Sequence, residues 1–309
     1  MSKEFQFAYI RKNICKTEEA VIPIQSKVVQ YGLGIFTGIR GHFDQRTKNI
    51  YLFRLEEHYE RLVEAANITG LNFSYTFDQF KKIVTDLIKT NKAKEDIYIR
   101  ATLYAASTQL TPRFDNEGDD LAMYIISLKD YFHTSANEGL NVCISSWRRV
   151  DDDAISTKAK ITGSYSNSAL AKTEAIKNGF DEAIFLNRDG RVCEATGANI
   201  FGIKDGVVFT PMLSANNLNG ITRRSVIELL QSELRLQIKE EEIDRSTLYT
   251  FDELFLTGTA AKIAWIKSVD KRQIGNGKQG PISQKIATLF ENASFGKLKK
   301  YQKWLTKVY

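Results

Sequence analysis

Thr157-Lys-Ala-Lys160-Ile-Thr-Gly163-Ser-Tyr165-Ser-Asn-Ser168 is the stretch on which the reading of this 309-residue chain turns, and it leads directly into a helical segment closed by Asn178-Gly179. A lysine becomes a nucleophile when its site favours the neutral amine. Small neighbours such as Ala159 and Gly163 leave room for a bulky reactant to approach. Lys160 is therefore the candidate, and Lys158, on the same face if the segment is extended, is its competitor. With 43 lysines and arginines in the chain, a solvated surface position is the ordinary fate of any one of them. The neighbouring sequence has to decide.

Downstream, Asp181 to Asn187, Arg191 to Thr196, Ala198 to Lys204 and Val207 to Pro211 read as short strands. Arg188-Asp189-Gly190 and Asp205-Gly206 separate members of this series, and Asp-Gly between strands is a strong hairpin signal. Glu194 then lies inside a strand between Cys193 and Ala195. A carboxylate there needs a cation or strong donors, and an ion pair or a protonated ring nitrogen would each serve.

The lysine segment is followed by Asn178-Gly-Phe-Asp-Glu-Ala183, Cys193-Glu194-Ala-Thr-Gly197-Ala-Asn-Ile-Phe201, Leu218-Asn-Gly220-Ile-Thr222-Arg223 and Thr257-Gly258-Thr259-Ala260-Ala261. In this order and at these spacings the chain resembles the class IV (fold type IV) pyridoxal-phosphate aminotransferases, and within them it is most similar to the branched-chain amino acid aminotransferases. The similarity runs from about Tyr31 almost to the C-terminus. It implies an α+β fold of two domains, like that of D-amino acid aminotransferase: a small N-terminal α/β domain over 1–128, a linker over 129–139 and a larger C-terminal cofactor-binding domain over 140–309.

The resemblance also implies pyridoxal 5′-phosphate as cofactor, with Lys160 bonded to it and serving as the acid-base. Glu194 is implied at the pyridine nitrogen, Tyr165 at the phenolic oxygen, and Arg54, Ile221, Thr222 and Thr259 around the phosphate, with Gly197 also among the cofactor-binding residues. For the substrate it implies Tyr31, supplied by the neighbouring subunit of a homodimer or higher homo-oligomer, together with Phe36, Tyr98, Arg100, Thr259 and Ala260. Thr259 and Ala260 match the turn that holds the α-carboxylate, and Arg100 matches the arginine that meets the distal carboxylate of glutamate. The implied reaction moves the amino group of L-leucine, isoleucine or valine to 2-oxoglutarate. A D-amino acid aminotransferase and an aminodeoxychorismate lyase are alternatives within the fold. A vitamin B6 or nucleic-acid binding protein without turnover is the alternative from another class.

Composition agrees with an enzyme of this kind. A chain of 309 residues with 43% hydrophobic content buries large cores and exceeds the usual size of a single domain. No apolar run reaches the roughly 20 residues of a membrane span, and Met1-Ser-Lys-Glu-Phe-Gln6 has no signal-peptide core, so a cytoplasmic protein is expected. Cys15, Cys143 and Cys193 are too widely spaced for a disulfide framework, and with His42, His58 and His133 equally scattered no metal site is expected. The net charge of +6 comes from basic residues interleaved with 37 acids, without an RNA-binding motif or zinc finger, so a nucleic-acid partner is not expected. The run Lys297 to Lys307, with Tyr301 and Trp304 among its lysines, reads as a solvated terminal segment packed by its aromatics.

In the N-terminal half, Tyr31-Gly-Leu-Gly-Ile-Phe36-Thr37-Gly-Ile-Arg40-Gly41 is glycine-rich without forming a dinucleotide fingerprint. The family's stretch usually has Glu where this chain has Thr37, a departure that bears on the substrate. Gly38 to Phe43 and Ile50 to Arg54 form a predicted hairpin, followed by a helix over Leu55 to Gly70 with Arg54 at the junction. By position alone it reads as a surface arginine; the match to the family's Phe-Arg motif implies a phosphate ligand, which suits a bidentate guanidinium. Thr76-Phe-Asp-Gln79 is a capping box that opens a second helix. Ile97 to Tyr104 alternates, placing Tyr98, Arg100, Thr102 and Tyr104 on one face. A polar loop over 108–120 and strands at Leu121 to Leu128 and Leu140 to Trp147 follow. Asp151-Asp-Asp153 reads as a loop, Thr222 as the N-cap of a helix over Arg223 to Leu234 that favours an anion, and Leu256 to Ala261 as a tight turn able to aim N–H groups at one.

Overall fold

Alternating apolar residues in the early chain and again after the lysine segment pair into two separate sheets. The computed structural model describes residues 5–114, 118–128 and 138–309. The expected linker 129–139, apart from its last two residues, lies outside them, as do His133 and the middle of the loop 108–120. Strands β1 (Phe7–Ile10) and β2 (Asn13–Lys16), helix α1 (Lys27–Tyr31), strands β3 (Gly34–Asp44) and β4 (Asn49–Phe53), helices α2 (Leu55–Thr69) and α3 (Phe77–Thr90), and strands β5 (Ile97–Tyr104) and β6 (Asp120–Ser127) come first. Then follow β7 (Leu140–Ile144), α4 (Tyr165–Lys177), β8 (Glu182–Leu186), β9 (Val192–Ala195), β10 (Asn199–Lys204), β11 (Val207–Pro211), α5 (Ile221–Ser232), β12 (Ile238–Glu241), β13 (Glu253–Gly258), β14 (Lys262–Val269), β15 (Arg272–Gln273), α6 (Pro281–Ser294) and β16 (Leu305–Lys307).

The chain divides into two compact units, one holding Met1–Lys129, Ala159–Ser164 and Asn292–Tyr309, the other Asp130–Lys158 and Tyr165–Glu291. A sequential division near 128 and 140 assigns the lysine segment and the C-terminal stretch to the later domain. By contact, both belong with the first unit. The cause is backbone pairing, since residues 159–163 line up along β3 and β16 pairs antiparallel with β4.

In the first unit the described strands form one antiparallel sheet in the order β16-β4-β3-β5-β6-β1-β2. Register between β3 and β5 runs from Gly34↔Tyr104 to Gly41↔Ile97. The period of two sends Ile35, Ile39, Ile97, Ile99, Ala101 and Leu103 into a core with Leu62 of α2 and Val84 and Leu87 of α3. Phe36, Gly38, Tyr98 and Arg100 are left on the other face. The predicted capping box of α3 is present: Thr76 N–H donates to Gln79 Oε1 at 2.8 Å, and Gln79 N–H to Thr76 Oγ1 at 3.3 Å.

The second unit carries a mixed sheet in the order β12-β11-β10-β13-β14-β7-β8-β9, with β15 on β14. Its β11–β12, β14–β7 and β7–β8 pairs are parallel. Asp205 and Gly206 both take positive φ, 49° and 76°, as a two-residue turn joining β10 to β11 requires. Two expectations are corrected here. The strand expected to Trp147 stops at Ile144, because Ser145 and Ser146 turn to donate to Glu174 of α4. Helix α5 starts at Ile221 with Gly220 as its N-cap, so Thr222 lies in the first turn rather than capping it. Among the described residues no helix is long and apolar enough to cross a membrane, and no group of His, Cys, Asp or Glu could hold a metal ion.

Candidate active site

The lysine segment is an extended run held against β3. Phe36 N–H donates to the Lys160 carbonyl at 3.0 Å, Thr162 N–H to Gly34 O at 2.7 Å and Gly163 N–H to Gly32 O at 3.1 Å, while Ile35 and Ile161 form a bridge. The close approach requires glycine at position 32, while a Cβ on Gly163 would be tight, 3.3 Å from Gly32 O. A Cβ on Gly32, whose φ is 68°, would lie 2.7 Å from Gly163 Cα. The pairing fixes which lysine faces the sheet: Lys160 Nζ stands 5.1 Å from the centroid of the Phe36 ring. Lys158 lies within the other unit, mostly exposed and 4.0 Å from Asp152.

Phe36 also receives Arg100, whose guanidinium carbon lies 4.1 Å from the ring centroid and 5.5 Å from that of Tyr98. Tyr98 lies across Gly38, where any Cβ would collide with its phenol. Lys160, Phe36, Tyr98 and Arg100 are thus assembled on one face of β3 and β5. Tyr31 ends α1, next to the left-handed Gly32. Thr37 points the other way, sharing a 2.7 Å hydrogen bond with His58 Nδ1 and accepting one from Arg61 at 2.9 Å. The departure from the family's Glu therefore falls on the buried α2 side and not on the face that carries Lys160. Arg54 links β4 to α2 with a left-handed backbone, φ 53°, and Glu57 holds its Nη1 at 2.5 Å.

In the second unit Glu194 sits on β9, 7% exposed. Arg149 Nε lies 3.2 Å from its Oε1, while Asn199 Nδ2 and Leu218 N–H donate to Oε2 at 3.2 and 3.1 Å. The ion pair offered by sequence reading is present, and its cation was not foreseen. No motif marks Arg149; only the rule that a buried acid needs a partner pointed to it. Asn199 also donates to Leu218 O, and its side chain fills the space a Cβ on Gly220 would need. This ties the acid to the start of α5, where Ile221 and Thr222 are buried and the N-cap, Gly220, has no side chain of its own to cap the first-turn N–H groups. The turn at Gly197 meets the turn at Gly258, where an added Cβ would lie 3.3 Å from Gly197 O. Thr259 and Ala260 follow in that turn, between β13 and β14. Tyr165 is the first residue of α4. Glu182, fully buried, accepts from Thr196 at 2.6 Å and Lys172 at 2.9 Å and so anchors the strand end before Gly197, a role that its place in the Asn178–Ala183 motif did not reveal.

The model of the family "Amino-transferase class IV" matches residues 34–269. The chain is 42% identical over 311 residues to the "Probable branched-chain-amino-acid aminotransferase" of Aquifex aeolicus, covering 100% of this chain and 99% of that one. Among solved structures it is similar to the branched-chain aminotransferase of Thermoproteus uzoniensis with norvaline, at TM-score 0.92 and 38% identity, covering 99% of this chain and 100% of that one. It is equally similar in fold to the T.th. branched-chain amino acid aminotransferase complexed with N-(5′-phosphopyridoxyl)-L-glutamate, at TM-score 0.92 and 30% identity, with 99% of each chain covered. A buried carboxylate tied to the start of α5, and a lysine segment pinned along β3, thus stand on a fold shared over its full length, and the chain belongs to the class IV aminotransferases.

Proposed function

We propose that the chain is a pyridoxal-phosphate-dependent branched-chain amino acid aminotransferase that moves the amino group of L-leucine, isoleucine or valine to 2-oxoglutarate. The pinning of residues 159–163 to β3 carries this reading, because it favours Lys160 over Lys158 by setting it beside Phe36, whose ring also receives Arg100. The donor set fits the cofactor. Glu194 offers a fixed carboxylate to a ring nitrogen, and the start of α5 offers N–H groups to a phosphate; the family resemblance adds Thr222, Thr259 and Arg54 as further phosphate ligands. Tyr165 would donate to the phenolic oxygen.

When bound, pyridoxal phosphate supplies the electron sink that lets the substrate α-carbon lose a proton. Lys160 Nζ takes that proton and returns it, and the Thr259-Ala260 turn holds the substrate carboxylate. Arg149 holds Glu194 in place, so the carboxylate would need no reorganisation to hold a protonated ring nitrogen. The face of Phe36 and Tyr98 accepts an apolar side chain, while Arg100 meets the distal carboxylate of glutamate. The glutamate-derived ligand of the T.th. enzyme supports the acidic half of this reading. The family resemblance further supports a cytoplasmic homodimer in which Tyr31 serves the neighbouring subunit's site.

Borohydride reduction of the cofactor-loaded enzyme followed by peptide mapping tests the assignment. A pyridoxyl group on Lys160 is expected, Lys160→Ala should lose essentially all turnover of L-leucine with 2-oxoglutarate, and Lys158→Ala should keep it. An adduct on Lys158, or turnover of D-alanine in place of L-leucine, would overturn the reading.

A further inference from the structure

We infer that Trp304 is a positioning residue for Arg54, and that through it the C-terminal segment sets the grip on the cofactor phosphate. This rests on the reading of Arg54 as a phosphate ligand. The segment lies beyond residues 34–269, the part matched by the family model. Its lysines suggest a solvated segment packed by its aromatics, and Tyr301 and Trp304 are 1% and 3% exposed. Trp304 touches Arg54 at both ends. Its carbonyl accepts the Arg54 N–H at 2.6 Å, and its ring centroid lies 3.8 Å from the guanidinium carbon.

The indole is itself held in place. Phe53 meets it edge-on at 5.7 Å, Tyr301 lies against it at 4.3 Å, and Leu305 pairs with Phe53 where β16 joins β4. Trp304 Nε1 has no acceptor among the described residues, so what the side chain gives Arg54 is a flat aromatic face. Glu57 takes the edge of the same guanidinium. A long flexible side chain loses rotamer freedom when it clamps an anion, and a guanidinium already stacked and edge-bonded has lost most of it beforehand. The backbone bond to Trp304 O additionally holds the left-handed conformation from which the Arg54 side chain departs.

Titration of the full-length apo chain with pyridoxal 5′-phosphate and with pyridoxal, which lacks the phosphate, reads this directly by absorbance. Trp304→Leu should weaken pyridoxal phosphate binding about tenfold and leave pyridoxal binding unchanged. In an Arg54→Met background the same change should cost nothing further, because the two residues act as one unit. Equal losses for both ligands, or a tenfold loss that persists beside Arg54→Met, would reduce Trp304 to scaffold and overturn the inference. Arg54→Met binding both ligands like the unaltered chain would instead sink the phosphate reading of Arg54, a distinct result. Should Trp304→Leu not fold, Trp304→Phe decides: its smaller ring should cost about two- to threefold for pyridoxal phosphate and nothing for pyridoxal. A shift shared by both ligands would again overturn the inference.

Discussion

Arg100 stands with its guanidinium over two aromatic rings, and among the described residues no carboxylate is paired with it. A structural ion pair would show an acid here. Arg100→Met should therefore slow the half-reaction with glutamate by roughly 2 kcal/mol or more while sparing that with leucine, since only glutamate leaves a charge unpaired in the pocket. Single-turnover rates with each donor check this, and equal losses would assign Arg100 to scaffolding. The candidate residues Lys160 and Glu194 stood out in the sequence because they sit in motifs of fixed spacing. Their supports did not. Arg149 reaches Glu194 from 45 residues away, between the short-range patterns a sequence displays. The face on which Thr37 lies follows from alternation along β3, yet what it meets there, His58 and Arg61, depends on how α2 packs.

At the level of elements, periodicity located α2, β5 and the start of α3 nearly to the residue, because each carries its own stripe or cap, whereas β3 begins at Gly34 and not at the expected Gly38. Elements without such punctuation escaped, among them β14 and α6, and the lysine segment gave no sign that it would be drawn beside β3. The link from β7 to α4 shows how a strand end is decided by contacts. Ser145 Oγ donates to Glu174 Oε2 at 2.6 Å and Ser146 N–H at 3.1 Å, and a short bond from Ser146 Oγ reaches the other oxygen. These donors hold the Glu174 carboxyl below its ordinary value of 4.5. A carboxyl lowered in the folded state adds stability above its unfolded value, and that contribution is lost as pH falls through the folded one. Thermal melts from about pH 6 down to about pH 3 should fall less steeply for Glu174→Gln than for the unaltered chain. Parallel profiles would show that the serines do not favour the ionised form.

For the molecule as a whole, the two units differ in how they treat their thiols. Cys15 is half-buried at the edge of the first unit, whereas Cys143 and Cys193 pack with Ala171, Ala175, Ala183 and Phe185 in the second. Burial pushes the Cys143 thiol up to about 11 and that of Cys193 well above the ordinary range. Since only the thiolate reacts, a disulfide reagent at about pH 8 should label Cys15 quickly and the other two only as the second unit opens in urea. Three equal rates without denaturant would contradict that packing. The first unit is also assembled from three separated stretches of chain. A ribosome delivers most of its sheet early, then the whole of the second unit, and only afterwards the strand that covers β4. The unit begun first is thus completed last: its nascent sheet waits through the rest of translation with one edge open, a period in which a chaperone would find its clearest target.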